Sequence, residues 1–170
     1  MRLVVVRHGP AESRDPRKWP DDDRRPLSSE GRQETRTASD GLRLLERDVR
    51  VVVTSPATRA RATAEILRES LDLRRACPTW PELEPGSPAA PALARLAEEA
   101  PARATVVLVG HEPQLGELVG LALTGDAVSL TRLGKAGAAA IGFPRAIRPG
   151  AGTLEWRLDR RALARLAKRR

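Results

Sequence analysis

The sequence predicts an α/β fold in three layers: a mostly parallel sheet flanked by helices on both faces. Two observations carry this. Short, continuous runs of valine and leucine, of the kind found in strands buried on both sides, recur along the chain. Between them lie longer stretches whose apolar residues return at helical spacing, and strand alternating with helix implies crossovers between parallel neighbours.

Arg2 to Val6 reads as the first strand. A polar loop punctuated by prolines, Pro10 to Pro26, leads to a helix capped by Ser28 or Ser29 and running to about Arg47, with Leu42 and Leu45 turned to the core. Val49 to Thr54 is the second strand. Ser55-Pro56 then reads as a helix start, since serine accepts an orphan N–H and proline at the first helical position loses none. The helix runs from Ala57 to Leu71 with Ala60, Ala64 and Leu67 on one face. A weak extended piece at Cys77 to Trp80 precedes a proline-rich link, Pro81 to Pro91, and a short helix, Ala92 to Glu99. Ala104 to Val109 is the clearest strand of the second half. A helix from Glu112-Pro113 to about Leu123, strands at Ala138 to Phe143 and Thr153 to Leu158, and a basic helix from Arg160 complete the order.

A chain of 170 residues fits one domain spanning 1–170, the basic helix at about 160–170 included. One cysteine, Cys77, excludes an internal disulfide framework, and with two histidines it falls short of a zinc ligand set, so no metal is expected. Cys77 itself reads as a small buried residue rather than a nucleophile. No apolar run approaches the ~20 residues needed to cross a bilayer, and no secretory leader is seen, so the expected compartment is the cytoplasm.

The net charge of +8 is unevenly spread: Arg157 to Arg170 hold +6 of it and the rest of the chain only +2. With one Phe and three scattered Trp there is no aromatic platform for bases, and nucleic acid is not an expected partner. The tail reads as a solvated helix face, with an apolar stripe of Ala162, Leu163 and Leu166 able to dock on the sheet, or alternatively as a contact for an acidic partner. The glycines match neither a P-loop nor a dinucleotide fingerprint, so no nucleotide cofactor is expected, nor any other.

Ligands of open parallel sheets bind beyond the carboxyl ends of the strands. Both histidines lie there, His8 in Arg7-His8-Gly9 and His111 in Gly110-His111-Glu112-Pro113, each beside a glycine that lets backbone approach a ligand. Arg59, in Ser55-Pro56-Ala57-Thr58-Arg59-Ala60, falls in the first turn of its helix, where the dipole disfavours a cation unless an anion is present. Arg7 ends a buried strand, where an unpaired cation is costly. A phosphate held by both guanidinium forks and the helix N-terminus satisfies all three constraints.

Together with Arg25-Pro26-Leu27-Ser28, Gly31, Thr63 and Pro81-Glu82-Leu83, these motifs resemble, in order and spacing from about Arg2 to Leu158, the histidine phosphatase superfamily, in particular its short SixA-type phosphohistidine phosphatases. The resemblance implies covalent catalysis without a metal: His8 attacks phosphorus through one ring nitrogen, and water then releases phosphate. Arg7, Arg59 and His111 would surround the phosphoryl group, with Arg25 and Gly9 as further members of the phosphate pocket. The second nitrogen of His8 must keep its proton, oriented by an acceptor such as a backbone carbonyl near Gly9. For a general acid the resemblance points to Glu82; Glu84 and Glu112 are the alternatives.

A leaving imidazole needs little acid assistance, and only 51 residues separate Arg59 from His111, too few for the insertions that enclose mutase-like pockets. Both points favour a phosphorylated protein substrate of the histidine phosphotransfer type. A small phosphomonoester, or a non-catalytic phosphate-binding role, are the alternatives.

Overall fold

The computed structural model describes residues 1–101 and 103–168. Its elements are β1 (Arg2–Arg7), α1 (Ser29–Leu45), β2 (Val49–Thr54), α2 (Thr58–Ser70), α3 (Ala89–Glu99), β3 (Thr105–Gly110), α4 (Gln114–Thr124), β4 (Ala138–Gly142), β5 (Thr153–Leu158) and α5 (Arg160–Ala167). Short 3-10 turns lie at Asp22–Arg24 and Pro81–Leu83.

The strands form one sheet in the order β2-β3-β1-β4-β5. β3 is parallel to both β1 and β2, whereas β4 is antiparallel to β1 and to β5. β4 therefore runs against the other strands, and the sheet is parallel in its site-bearing half and antiparallel beyond it.

Strand side chains point alternately to the two faces, so a strand buried on both sides feeds two cores. Leu3 and Val5 join Val106, Leu108 and Ile141 beneath α3 and α4. Val4 and Val6 join Val107, Val109 and Ala140 on the opposite face, where Leu42 of α1, Ala60, Ala64 and Leu67 of α2 and Leu163 of α5 pack. The three-layer expectation stands.

Local differences have local causes. α1 stops at Leu45, which is 36% exposed, not turned to the core as expected, whereas Leu42 is fully buried. Leu45 lies three positions further, as the last residue of the helix. α3 begins at Ala89, three residues earlier than its apolar pattern indicated, because Pro91 near the helix start loses no intrahelical bond. At the other end of the chain, Asp159 caps α5 by accepting the Ala162 N–H at 2.8 Å. α5 docks on α1 as well as the sheet: a Cβ on Gly41 would lie 1.9 Å from the Leu163 carbonyl oxygen, so only glycine permits this approach. The tail thus has a packing role through Leu163, and Arg160 pairs with Glu34 of α1.

Candidate active site

Sheet register builds the site. Arg7 of β1 is level with Gly110 of β3, and Thr54 of β2 with Val109. The ladder continues one step past the strand ends, His8 N–H donating to the Gly110 carbonyl at 3.1 Å and Ser55 N–H to the Val109 carbonyl at 2.9 Å. His8, Ser55 and His111 are thereby delivered to one edge. The His8 and His111 rings lie with centroids 5.1 Å apart, tilted by 51°. Both residues are buried.

His8 Nδ1 lies 2.7 Å from the Gly9 carbonyl oxygen. A carbonyl only accepts, so Nδ1 carries the proton and Nε2 keeps its lone pair. Burial, opposed by the Gly9 bond and reinforced by Arg59 and Arg7, lowers the pKa of His8 from 6.5 to about 4. Burial is the larger cause of this neutrality and the guanidinium charges the smaller. His111, lowered to about 3 by burial, His8 and the same arginines, is also neutral at neutral pH.

Ser55, expected as a helix cap, does something else. α2 begins at Thr58 with Ala57 as its cap residue and no capping side chain. The Ser55 hydroxyl accepts the Ala57 N–H at 3.2 Å and shares a 2.9 Å hydrogen bond with His111 Nε2. It orients the second imidazole, a role that a serine before a proline does not advertise.

Arg59 is 4% exposed in the first turn of α2. The anion its position demands is partly supplied by the chain: Nη1 donates to the Asp22 carbonyl at 2.6 Å, and Nη2 lies 3.4 Å from the Asp22 carboxylate and 3.6 Å from that of Asp23. Arg7 Nη1 donates to the Leu133 carbonyl at 2.8 Å. The Nε of each of these arginines is buried without a hydrogen-bond partner. Buried donors are rarely left so, and an anion between the two guanidiniums satisfies both.

Three expected members sit differently. Arg25 gives Nε and Nη2 to the Asp22 carboxylate at 2.9 and 3.3 Å and Nη1 to the Glu12 carbonyl at 2.7 Å. It braces Asp22 beside Arg59. Gly9 spends its N–H on the Thr63 hydroxyl at 2.9 Å, so its contribution is the carbonyl that holds His8 and the space it leaves: a Cβ there would meet the Thr35 hydroxyl at 2.0 Å. Glu82 pairs with Arg95 at 2.8 Å, and Arg95 in turn lies over the Trp80 ring. Its own backbone N–H and Arg95 hold its carboxyl below the usual range. An ionised, ion-paired carboxylate is poorly suited to donate a proton.

Glu112 sits beside His111, its carboxylate accepting the Leu133 N–H at 2.8 Å. Cys77, raised to about 11 by burial, is a neutral thiol. Among the described residues no group of three or more His, Cys, Asp or Glu side chains gathers as a metal site. A cavity of about 730 Å³ lined by Val51, Val53, Trp80 and Leu96 opens elsewhere, and neither histidine lines it. No described helix is long and apolar enough to cross a membrane.

Known proteins share this chain's fold. Residues 3–85 match the family model of the histidine phosphatase superfamily (branch 1). An uncharacterized protein of Picosynechococcus sp. is 35% identical over 138 residues, 79% of this chain and 82% of that one. The solved structure of the protein histidine phosphatase SixA complexed with tungstate superposes with a TM-score of 0.81 at 26% identity, covering 96% of this chain and 99% of the other. A mycobacterial glucosyl-3-phosphoglycerate phosphatase complexed with VO3 shares the fold, with a TM-score of 0.68 at 21% identity over 91% of this chain and 96% of that one. The chain belongs to the histidine phosphatase superfamily, in its SixA-type group.

Proposed function

We propose that this chain is a metal-independent protein phosphohistidine phosphatase that works through a phosphohistidine at His8. The observation that carries the reading is the pairing of a neutral, Nδ1-anchored His8 with the guanidiniums of half-buried Arg7 and buried Arg59, whose buried Nε donors lack partners.

In this scheme His8 Nε2 attacks phosphorus and forms a P–N bond as the bond to the substrate imidazole breaks. The departing imidazole takes a proton from solvent. Arg7 and Arg59 stabilise charge on the equatorial oxygens, which is where catalysis of phosphoryl transfer mostly lies. His111, with Nε2 held by Ser55, keeps Nδ1 for a phosphoryl oxygen. Water then attacks phosphorus, phosphate departs, and the lone pair returns to Nε2.

The state of Glu82 supports the choice of substrate. An alkoxide leaving group needs a proton donor, and Glu82 is ionised against Arg95. A phosphohistidine leaves as an imidazole that water can protonate. The solved SixA relative is named as a protein histidine phosphatase, which supports the same reading.

The test is a direct comparison of substrates. Purified protein is incubated with a phosphorylated histidine phosphotransfer domain and with a panel of sugar and nucleotide phosphates. Faster release of phosphate from the phosphoprotein is expected. Turnover of the small esters alone would replace the proposal with a phosphomonoesterase, and turnover of neither, with retained phosphate affinity, would leave a binding module.

A further inference from the structure

The loop between α4 and β4 carries the carbonyl that Arg7 leans on, and its placement is unusually constrained. It lies hard against α4: a Cβ on Gly120 would sit 1.9 Å from the Val128 carbonyl oxygen, and one on Gly116 2.3 Å from that of Thr131. Leu133, at the end of this contact, is buried. Its N–H donates to Glu112 Oε1 at 2.8 Å, and its carbonyl accepts Arg7 Nη1, also at 2.8 Å.

We infer that Glu112 is a positioning residue: its carboxylate fixes Leu133, and through the carbonyl of the same residue it aims the Arg7 guanidinium at the phosphoryl position. The inference rests on the phosphatase reading of the site and adds a member to it.

The geometry separates this role from that of a proton donor. Glu112 Oε1 is occupied by the Leu133 N–H, and Oε2 is buried without a hydrogen-bond partner, facing α4, where a Cβ on Gly116 would lie 3.1 Å from it. The side chain therefore turns toward the helix start and the loop. A neutral acceptor of the same shape fills the positioning role equally well, because what Leu133 requires is an oxygen, not a charge. A proton donor has no such substitute.

Glu112→Gln and Glu112→Ala are compared with the wild-type chain by calorimetric titration with tungstate and by phosphate release from the phosphoprotein. The Gln variant is expected to bind tungstate and turn over within about twofold of wild type. The Ala variant, if folded, binds tungstate about tenfold more weakly, the order expected when one hydrogen bond to a charged group is disordered. The His8 ring, which no hydrogen bond joins to Glu112, keeps its wild-type 15N shifts. A Gln variant as impaired as Ala would overturn the inference, as would an Ala variant that binds tungstate like wild type. Should wild type itself neither bind tungstate nor release phosphate, it is the phosphatase reading that fails.

Discussion

The Nδ1 of His8 and the carbonyl oxygen of Gly9 are 2.7 Å apart, and this one contact determines which nitrogen of the buried imidazole faces its reaction partner. Gly9 in turn is pinned through its N–H to Thr63, four residues beyond Arg59 on α2. The nucleophile and the phosphate clamp are therefore set by the same helix.

Neutral His8 gives a pH signature. Its pKa falls from 6.5 to about 4, and that of His111 to about 3, so between pH 6.5 and about 4 the unfolded chain binds protons that the folded one refuses. Stability is accordingly full above pH 6.5 and is lost as pH falls toward 4. NMR titration of the His8 15N resonances should show no midpoint between pH 8 and 5; a midpoint near 6.5 contradicts the burial argument.

Arg59 is expected to contribute mainly to holding the phosphoryl group. Arg59→Ala should weaken tungstate binding by about 10- to 100-fold, the worth of a charge-assisted hydrogen bond or two. Calorimetry reads this directly. Affinity unchanged from wild type would mean that the Asp22 carbonyl and carboxylate are the whole purpose of that side chain.

Glu82→Gln is expected to leave phosphoprotein turnover within about threefold of wild type, since a leaving imidazole draws its proton from water. Steady-state rates across pH 6 to 8 provide the check. A loss of about a hundredfold would restore Glu82 as the acid.

The order of strands and helices was legible because buried strands and amphipathic helices have different periods, and each valine run found its place in the sheet. What the runs do not encode is direction: nothing in Ala138 to Phe143 distinguishes an antiparallel β4 from a parallel one. At the site, His8, Arg7, Arg59 and His111 could be placed because they follow strand ends or open a helix. The misplacements share one cause. Arg25, Gly9, Glu82 and Ser55 sit in the right neighbourhood, but which partner each takes depends on loop conformations that local sequence leaves open. Asp22 and the Leu133 carbonyl, which hold the two arginines, have no sequence signature at all.

The tail is predicted to be structural. Leu163→Ala should destabilise the fold by about 2–5 kcal/mol, as for other fully buried leucines, with kcat altered little in the folded fraction. Urea denaturation measures the first and phosphate release the second. Full stability with impaired turnover of the phosphoprotein would assign α5 to partner binding instead.

A phosphorus atom bonded to His8 is the defining intermediate of the proposed reaction. Brief incubation with a 32P-labelled phosphotransfer protein, quenching in alkali, where phosphohistidine survives, and peptide mapping should place the label on the peptide containing Arg7-His8-Gly9, with none on the His8→Ala chain. Label on the His111 peptide, or rapid phosphate release by the His8→Ala chain, would contradict it.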